Sequence, residues 1–228
     1  MQKTSINTYT NTMFDTFCSC PAKYYYKYVQ GLIIPQKQEN FELGKSLHAL
    51  LSHRLNGFDI SEKEKFINEP LKTHYKAVIN SDIFRLKPIL TEWAFNVNVK
   101  DTHNILAGRI DAVFFDEQKG KYTIADWKTA SSPVKNPEEN FQAQIYLYAF
   151  YKARKDLGLE MKPESIDFKF IQTPDINISQ INFSQKKYEE YENKFSNTIS
   201  EIEKYTFSIT GGQTDSCKNC EYRFVCLK

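Results

Sequence analysis

The sequence predicts an α/β protein, a central mixed β-sheet flanked by helices, and three stretches carry that prediction. Residues 105 to 128 read as two strands. Ile110 to Phe115 and Tyr122 to Trp127 are rich in β-branched and aromatic residues, and the polar Asp116-Glu-Gln-Lys-Gly120 between them suits a hairpin loop longer than two residues. Leu43, Leu47, Leu50, Leu51 and Leu55 recur at helical spacing, so residues 43 to 55 form an amphipathic helix. Phe141 to Lys155 reads as another helix, and Ile166 to Gln172 and Ile176 to Phe183 as a strand pair turning through Thr173-Pro174-Asp175. A chain of 228 residues that is 41% apolar and 14% aromatic can bury one sizeable core, so a single domain over residues 1–228 is expected.

Taken in order, Ser5 is expected to cap a helix carrying Tyr9, Met13, Phe14 and Phe17, which Cys18-Ser-Cys20-Pro21 ends. Pro21 suits the first turn of a second helix, Ala22 to Tyr28, closed by Gly31. Its four tyrosines among Lys23 and Lys27 fit partly buried packing or the stacking of bases beside neutralised phosphates. Residues 61–90 are charged and mostly helical in pattern, broken at Pro70 and Pro88, and residues 56–90 read as a helical insert over the sheet. Trp93, Phe95, Val97 and Val99 alternate with Ala94, Asn96 and Asn98 in a half-buried strand that Glu92 opens. Thr129 to Glu139 is a polar loop. The last helix, Ser184 to Tyr205, repeats Tyr188, Tyr191, Phe195, Ile202 and Tyr205 on its core face, and Gly211-Gly212 releases the tail.

Thirty basic against 28 acidic residues leave a net charge of +2, so any contact with nucleic acid must come from a local basic patch. No run approaches the roughly 20 apolar residues of a membrane span, and the N-terminus lacks the apolar core of a signal peptide; a soluble, cytoplasmic protein without membrane contact is expected. Gly44-Lys45-Ser46 is not a phosphate loop, because position 39, where the first Gly belongs, is Glu.

Three charged groups contradict a packed sheet. Asp111 interrupts the first apolar run, and Asp126 and Lys128, two apart, project from one face of the second strand. Burying such charges costs several kcal/mol unless they bind each other, a metal or a substrate. An Asp–Lys pair at a strand end and a reactive site are both open readings. His48 borders the leucine stripe beside Gly44, as a packed residue or a ligand, whereas His53 falls on the polar face. Gln144 and Tyr148 are helix neighbours four apart, joined by Phe141 and Tyr151, and make either a buried face or part of a site. Glu92 reads as an exposed strand-end residue. Cys217-Lys-Asn-Cys220 followed by Cys226 is a metal-ligand pattern, for which zinc would need one more ligand.

Gly108-Arg109-Ile110-Asp111, Asp126-Trp127-Lys128-Thr129 and Gln144-Ile-Tyr-Leu-Tyr148 resemble the successive motifs of the PD-(D/E)XK nuclease superfamily in its RecB-like branch. The resemblance implies a restriction-endonuclease-like core in which Asp111 and Asp126 hold Mg²⁺ or Mn²⁺, Lys128 orients or activates the attacking water, and Gln144 and Tyr148 help to position the strand being cut. Gly44-Lys-Ser-Leu-His48 resembles that family's G-x-x-x-H motif, which implies His48 as a metal ligand. Related sequences often carry an acidic residue at the position of Glu92, which implies an extra metal or water contact there as the alternative to an exposed strand-end residue. Phe17-Cys-Ser-Cys20-Pro21-Ala-Lys-Tyr24 resembles the opening of RecB and AddB nuclease domains, where the Cys before Pro is the first ligand of an iron-sulfur cluster.

With the C-x-x-C-x5-C tail, this implies one [4Fe-4S] cluster on Cys20, Cys217, Cys220 and Cys226, zinc being the competitor, with Cys18 spare. Residues 1–30 and 207–228 would then form a cluster-binding lobe with Cys-stapled termini. The implied activity is Mg- or Mn-dependent hydrolysis of DNA, single-stranded or with a free end, in repair, recombination or CRISPR adaptation, with a helicase or integrase as possible partner. The reading from another class is a catalytically silent DNA-binding or assembly subunit, against which intact Asp111, Asp126 and Lys128 stand.

Overall fold

The computed structural model describes residues 7–34, 39–100, 102–130, 132–206 and 217–226. Six strands make one mixed sheet: β1 (Thr8–Tyr9), β2 (Lys87–Asn98), β3 (Ile105–Asp116), β4 (Lys121–Lys128), β5 (Ile166–Gln172) and β6 (Asn177–Asn182). β2, β3 and β4 form an antiparallel meander. β5 returns parallel to β4 after the helix α6 (Phe141–Lys152), the crossover that a parallel pair requires. β6 then pairs antiparallel with β5, as its turn chemistry predicted. The expected fold class, helices flanking a central mixed sheet, is the one observed.

Two apolar layers cover the sheet. On one face α1 (Asn11–Ser19), α6 and α7 (Gln185–Lys204) pack Phe14, Phe150, Phe168 and Phe195, all fully buried. On the other, Leu47 and Leu51 of α3 (Glu39–Leu55) and Tyr75 and Val78 of α5 (Leu71–Ile79) lie against Phe114, Trp127 and Ile171. Polar caps set the helix starts: the Asn140 side chain accepts from Gln142 and Ala143 N–H, and that of Ser184 from Lys187 N–H. The short α2 (Pro21–Tyr24) continues as a π-helical turn over Tyr25–Val29, and Gly31 closes it at φ +66°. Tyr24 is buried against Phe17 and Tyr28, so that member of the tyrosine group is core packing.

Four expectations change. Thr10, not Ser5, caps α1, accepting from Met13 N–H, and Tyr9 lies in β1, hydrogen-bonded alongside β3; Ser5 itself is outside the described residues. The helical pattern of residues 61 to 90 holds for α4 (Ser61–Glu64), α5 and a 3₁₀ turn at Asp82–Arg85, but strand β2 already begins at Lys87. Pro88 is tolerated there because it sits at the strand's start, where the register with β3 shifts between Pro88 and Leu90. Glu92 consequently lies inside β2 and not at its start, with φ +49°. Helix α6 stops at Lys152, three residues short of the sequence boundary. Gly211-Gly212 is outside the described residues, among which no helix is long and apolar enough to cross a membrane.

The sheet forks at Asp111. β2 pairs with β3 along its length, so β1 and β4 must share the other edge, β1 at residues 105 and 106 and β4 from Ala112 onward. Leu106, Ile110 and Val113 belong to the core under α6, whereas Ala112 and Phe114 belong to the core under α3. Strict alternation would put residues 106, 110, 112 and 114 on one face, so the phase slips by one residue at Asp111. Beyond Ala125, β4 leaves β3 and continues alone beside β5.

Candidate active site

The fork explains how acidic side chains can be built into a packed sheet. Where β3 and β4 separate, the Trp127 N–H has no strand partner on the β3 side, and Asp111 Oδ2 accepts it at 3.1 Å. The other oxygen, Oδ1, lies 3.2 Å from His48 Nδ1, and His48 Nε2 is 3.1 Å from the Trp127 carbonyl. The leucine stripe of α3 fixes this geometry by burying Leu47 and Leu51, which turns His48 toward the fork. One oxygen of Glu92, one of Asp111 and one ring nitrogen of His48 all lie within 4.8 Å of one another. Glu92 also meets the exposed Arg109 at 3.4 Å.

Asp126 approaches from the α6 side. It is almost fully buried, and its Oδ2 lies 2.7 Å from Lys128 Nζ, in ion-pair contact but without hydrogen-bond geometry. Gln142 of α6 ties the pair together, donating to Asp126 Oδ1 at 2.5 Å and accepting from Lys128 Nζ at 2.9 Å. Its remaining N–H reaches the Tyr146 hydroxyl at 3.3 Å, which uses every hydrogen of the amide. Lys128 Nζ also stands 5.4 Å from the centre of the Phe170 ring. Gly108 is required nearby, because a Cβ there would come 2.6 Å from the Phe95 ring and 3.3 Å from Tyr146.

The electrostatics follow from this packing. Burial, and after it the charge of Asp111, push the Asp126 carboxyl up, against the opposing pull of Lys128 and His48. Burial alone would lower His48, but the Asp111 hydrogen bond and charge, Asp126 and the Trp127 carbonyl outweigh it and raise the imidazole to about 8. Burial and the charge of Asp126 raise Tyr146, so its hydroxyl keeps its proton near neutrality. Glu92, Asp111 and His48 bring three donor atoms together in a set that a cation would complete. The oxygen-rich donors fit a hard divalent ion of the Mg²⁺ or Mn²⁺ kind. The groups open into a cleft of about 720 Å³ lined by His48, Glu92, Arg109 and Lys128 together with Lys45 and Trp127.

His48, Asp111, Asp126 and Lys128, named from the sequence, are therefore brought together. Gln144 and Tyr148 are not. Gln144 donates to the Glu138 carbonyl and accepts from Lys194, and Tyr148 donates to Glu192, which turns both toward α7. Their places beside the carboxylates belong to Gln142 and Tyr146, which have the same spacing two residues earlier. α6 is buried nearly all round, from Phe141 to Phe150 apart from Gln142, so no polar face marks which Gln–Tyr pair points to the sheet.

The cysteines lie elsewhere. Cys20 caps α2, accepting from Lys23 N–H at 3.4 Å, and Cys226 ends α8 (Arg223–Cys226). The tail is docked on the N-terminal helices: Lys23 pairs with Glu221 at 3.0 Å, Tyr222 donates to the Leu32 carbonyl at 2.8 Å, and Tyr222 stacks on Tyr26. Burial raises the Cys226 thiol, and so do the charges of Cys20, Cys217 and Cys220, all within electrostatic reach.

Comparison with known proteins places the chain in a family. No curated protein sequence matches the chain. Among solved structures it is similar to SSO0001, with 19% identity over 99% of this chain and 88% of that one, at a TM-score of 0.49. It shares its fold with a Eubacterium rectale protein provisionally named an exonuclease, at 11% identity, 96% and 88% coverage and a TM-score of 0.54. The model of the PD-(D/E)XK nuclease superfamily matches residues 9–81 and 57–227. With nearly the whole chain covered, the protein belongs to the PD-(D/E)XK nuclease superfamily.

Proposed function

We propose that the protein is a metal-dependent deoxyribonuclease that hydrolyses phosphodiester bonds of single-stranded DNA from an end. The observation that carries the reading is the meeting of Asp126 and Lys128, 2.7 Å apart, with the His48–Glu92–Asp111 set at a fork that opens into a basic-edged cleft. His48, Glu92, Asp111 and Asp126 would hold one or two Mg²⁺ or Mn²⁺ ions, which supply polarisation of the phosphate and a lowered pKa for the attacking water.

The remaining chemistry belongs to the chain. Lys128 presents its ammonium where the water and the developing phosphorane charge would lie, and Gln142 fixes that ammonium and Asp126 relative to each other. Arg109, now on Glu92, and Lys45 at the rim would take backbone phosphates. Leu51 and Trp127, buried beneath the fork, keep the floor of the site dry and rigid.

The four thiols support a second cofactor, one [4Fe-4S] cluster on Cys20, Cys217, Cys220 and Cys226, as in the RecB-like branch. Thiolates suit iron. The ends would thus be stapled into a lobe of one nuclease domain, with the helices of residues 56–90 as its insert.

The test is purified protein with Mn²⁺ or Mg²⁺ on end-labelled linear and covalently closed circular single strands. Linear DNA should shorten and circles survive. Rapid cutting of circles would replace end-dependent action by endonuclease action, and no cleavage with either metal would reject the nuclease reading in favour of a DNA-binding or assembly subunit.

A further inference from the structure

We propose that His74, acting through Thr173, is a positioning residue for Lys128. The inference rests on the reading of Lys128 as the group that acts on the attacking water. β4 ends at Lys128, directly opposite Gln172 of β5, and the chain then enters a polar loop where no strand holds it. The Lys128 carbonyl is nevertheless doubly bonded: it accepts from Thr173 N–H at 2.9 Å and from the Thr173 hydroxyl at 3.2 Å. The same hydroxyl oxygen lies 2.6 Å from His74 Nδ1.

A threonine hydroxyl has one hydrogen. If that hydrogen goes to the Lys128 carbonyl, the bond to His74 forms only with Nδ1–H as donor, so His74 carries a proton on Nδ1. Donor direction then runs one way, from imidazole to hydroxyl to carbonyl. His74 and Thr173 are both buried, at 8% and 2% exposure, so neither bond competes with water. His74 projects from α5, whose Tyr75 and Val78 are locked in the core under α3. A helix with no group in the cleft thus holds the peptide that carries the catalytic lysine. A further tie runs from the Gln172 side-chain amide to the Ser132 carbonyl, within the loop that follows.

The alternative is that the chain of bonds merely satisfies buried polar groups. The two accounts differ in what they do to turnover. His74→Phe and Thr173→Val should each lower kcat on single-stranded DNA about 10- to 100-fold with KM nearly unchanged, because displacement of about 1 Å at a catalytic group costs that much. Thr173→Ser, which keeps the hydroxyl, should recover most of the rate, as should His74→Asn, whose amide N–H stands near the position of Nδ1. In a Lys128→Ala background neither His74→Phe nor Thr173→Val should slow the residual reaction further. A further loss there, or unaltered kcat in the active wild-type background, overturns the proposal. Amide hydrogen exchange of residue 173, whose N–H donates to the Lys128 carbonyl at 2.9 Å, supplies a readout independent of catalysis and should quicken in Thr173→Val. If the wild-type protein cleaves no DNA, the nuclease reading falls, and unchanged protection of that amide in Thr173→Val separately removes the tie.

Discussion

The carboxylate fork and the cysteine lobe both gather ligands of the kind that hold metals, yet they are built in opposite ways. At the fork, Asp111 and Asp126 sit on adjacent strands of a six-stranded sheet, buried, and braced by His48, Trp127 and Gln142 through hydrogen bonds of 2.5 to 3.2 Å. In the lobe, Cys20 caps the junction of α1 and the four-residue α2, whereas Cys217, Cys220 and Cys226 come from the tail, where only Cys226 lies in an α-helix, one of four residues; all four have intermediate burial. Helices so short have little stability of their own. The fork's geometry is set by the fold before any ion arrives, whereas the lobe, in the reading proposed above, depends on the cluster that would join its thiols. Removing a ligand should therefore abolish chemistry at the first and order at the second.

The largest expected effect tests the first half of that contrast. Asp126→Ala should reduce cleavage by several orders of magnitude, since a metal-organised site must overcome a very slow uncatalysed reaction. The fold should survive, because the Lys128 ammonium that loses its partner is part-exposed and can turn to water. A mutant of normal activity would remove Asp126 from the site. Next in size is Lys128→Ala. If the ammonium acts on the water or on developing charge, turnover falls about 10²- to 10³-fold while DNA affinity measured in Ca²⁺ stays level. Loss of affinity at constant turnover would make Lys128 a phosphate anchor.

The second half is tested at Cys220. Cys220→Ser should lose the brown colour of anaerobically prepared protein and several kcal/mol of stability, as expected for opening a long-range crosslink. Mn²⁺ binding at the fork should persist at low temperature, and Cys18→Ser, which removes an exposed thiol outside the proposed ligand set, should change neither property. Colourless protein carrying one tightly held zinc would keep the staple and replace the cluster. Concurrent loss of Mn²⁺ binding would show the two regions to be one cooperative unit, and the contrast between them would fail.

The sequence disclosed these regions unequally, for physical reasons. β3, β4, β5 and β6 were legible because β-branched and aromatic runs and turn chemistry are local, and Asp111, Asp126 and Lys128 stood out because charges are costly on a packed strand. The fork itself was not legible. A one-residue slip in phase at Asp111 leaves no mark in composition, and it is at that slip that Asp111 meets His48 and Glu92. β2 was partly hidden because Pro88 reads as a breaker although it sits at a strand start. Gln142 was displaced by Gln144 because both head a Gln-x-x-x-Tyr spacing on a helix buried on nearly every side. His74 lies 54 residues from Lys128 in the chain and is joined to it only through Thr173.

The smallest effect separates preorganisation from mere proximity at the fork. The metal-free site holds a proton on His48 at pH 7, because Asp111 and its neighbours raise the imidazole to about 8. A divalent ion must displace that proton, so its apparent affinity should rise with pH up to about 8 and level off above, by close to tenfold per unit below that point. Asp126 is pushed up as well, but only to about 6, so the interval from pH 7 to 9 reports His48 alone of the two. The stability of the metal-free protein should run the other way. A histidine raised on folding stabilises fully below its unfolded value of about 6.5, and that contribution is lost as pH rises through about 8. Mn²⁺ titrations by calorimetry in buffers of different ionisation enthalpy would count the proton released. His48→Gln should bind the ion more weakly, release no proton and lose the pH dependence over this interval. Equal proton release from His48→Gln and the wild type would mean that another group gives up the proton, and that the 3.2 Å contact between His48 and Asp111 does not prepare the site for its ion.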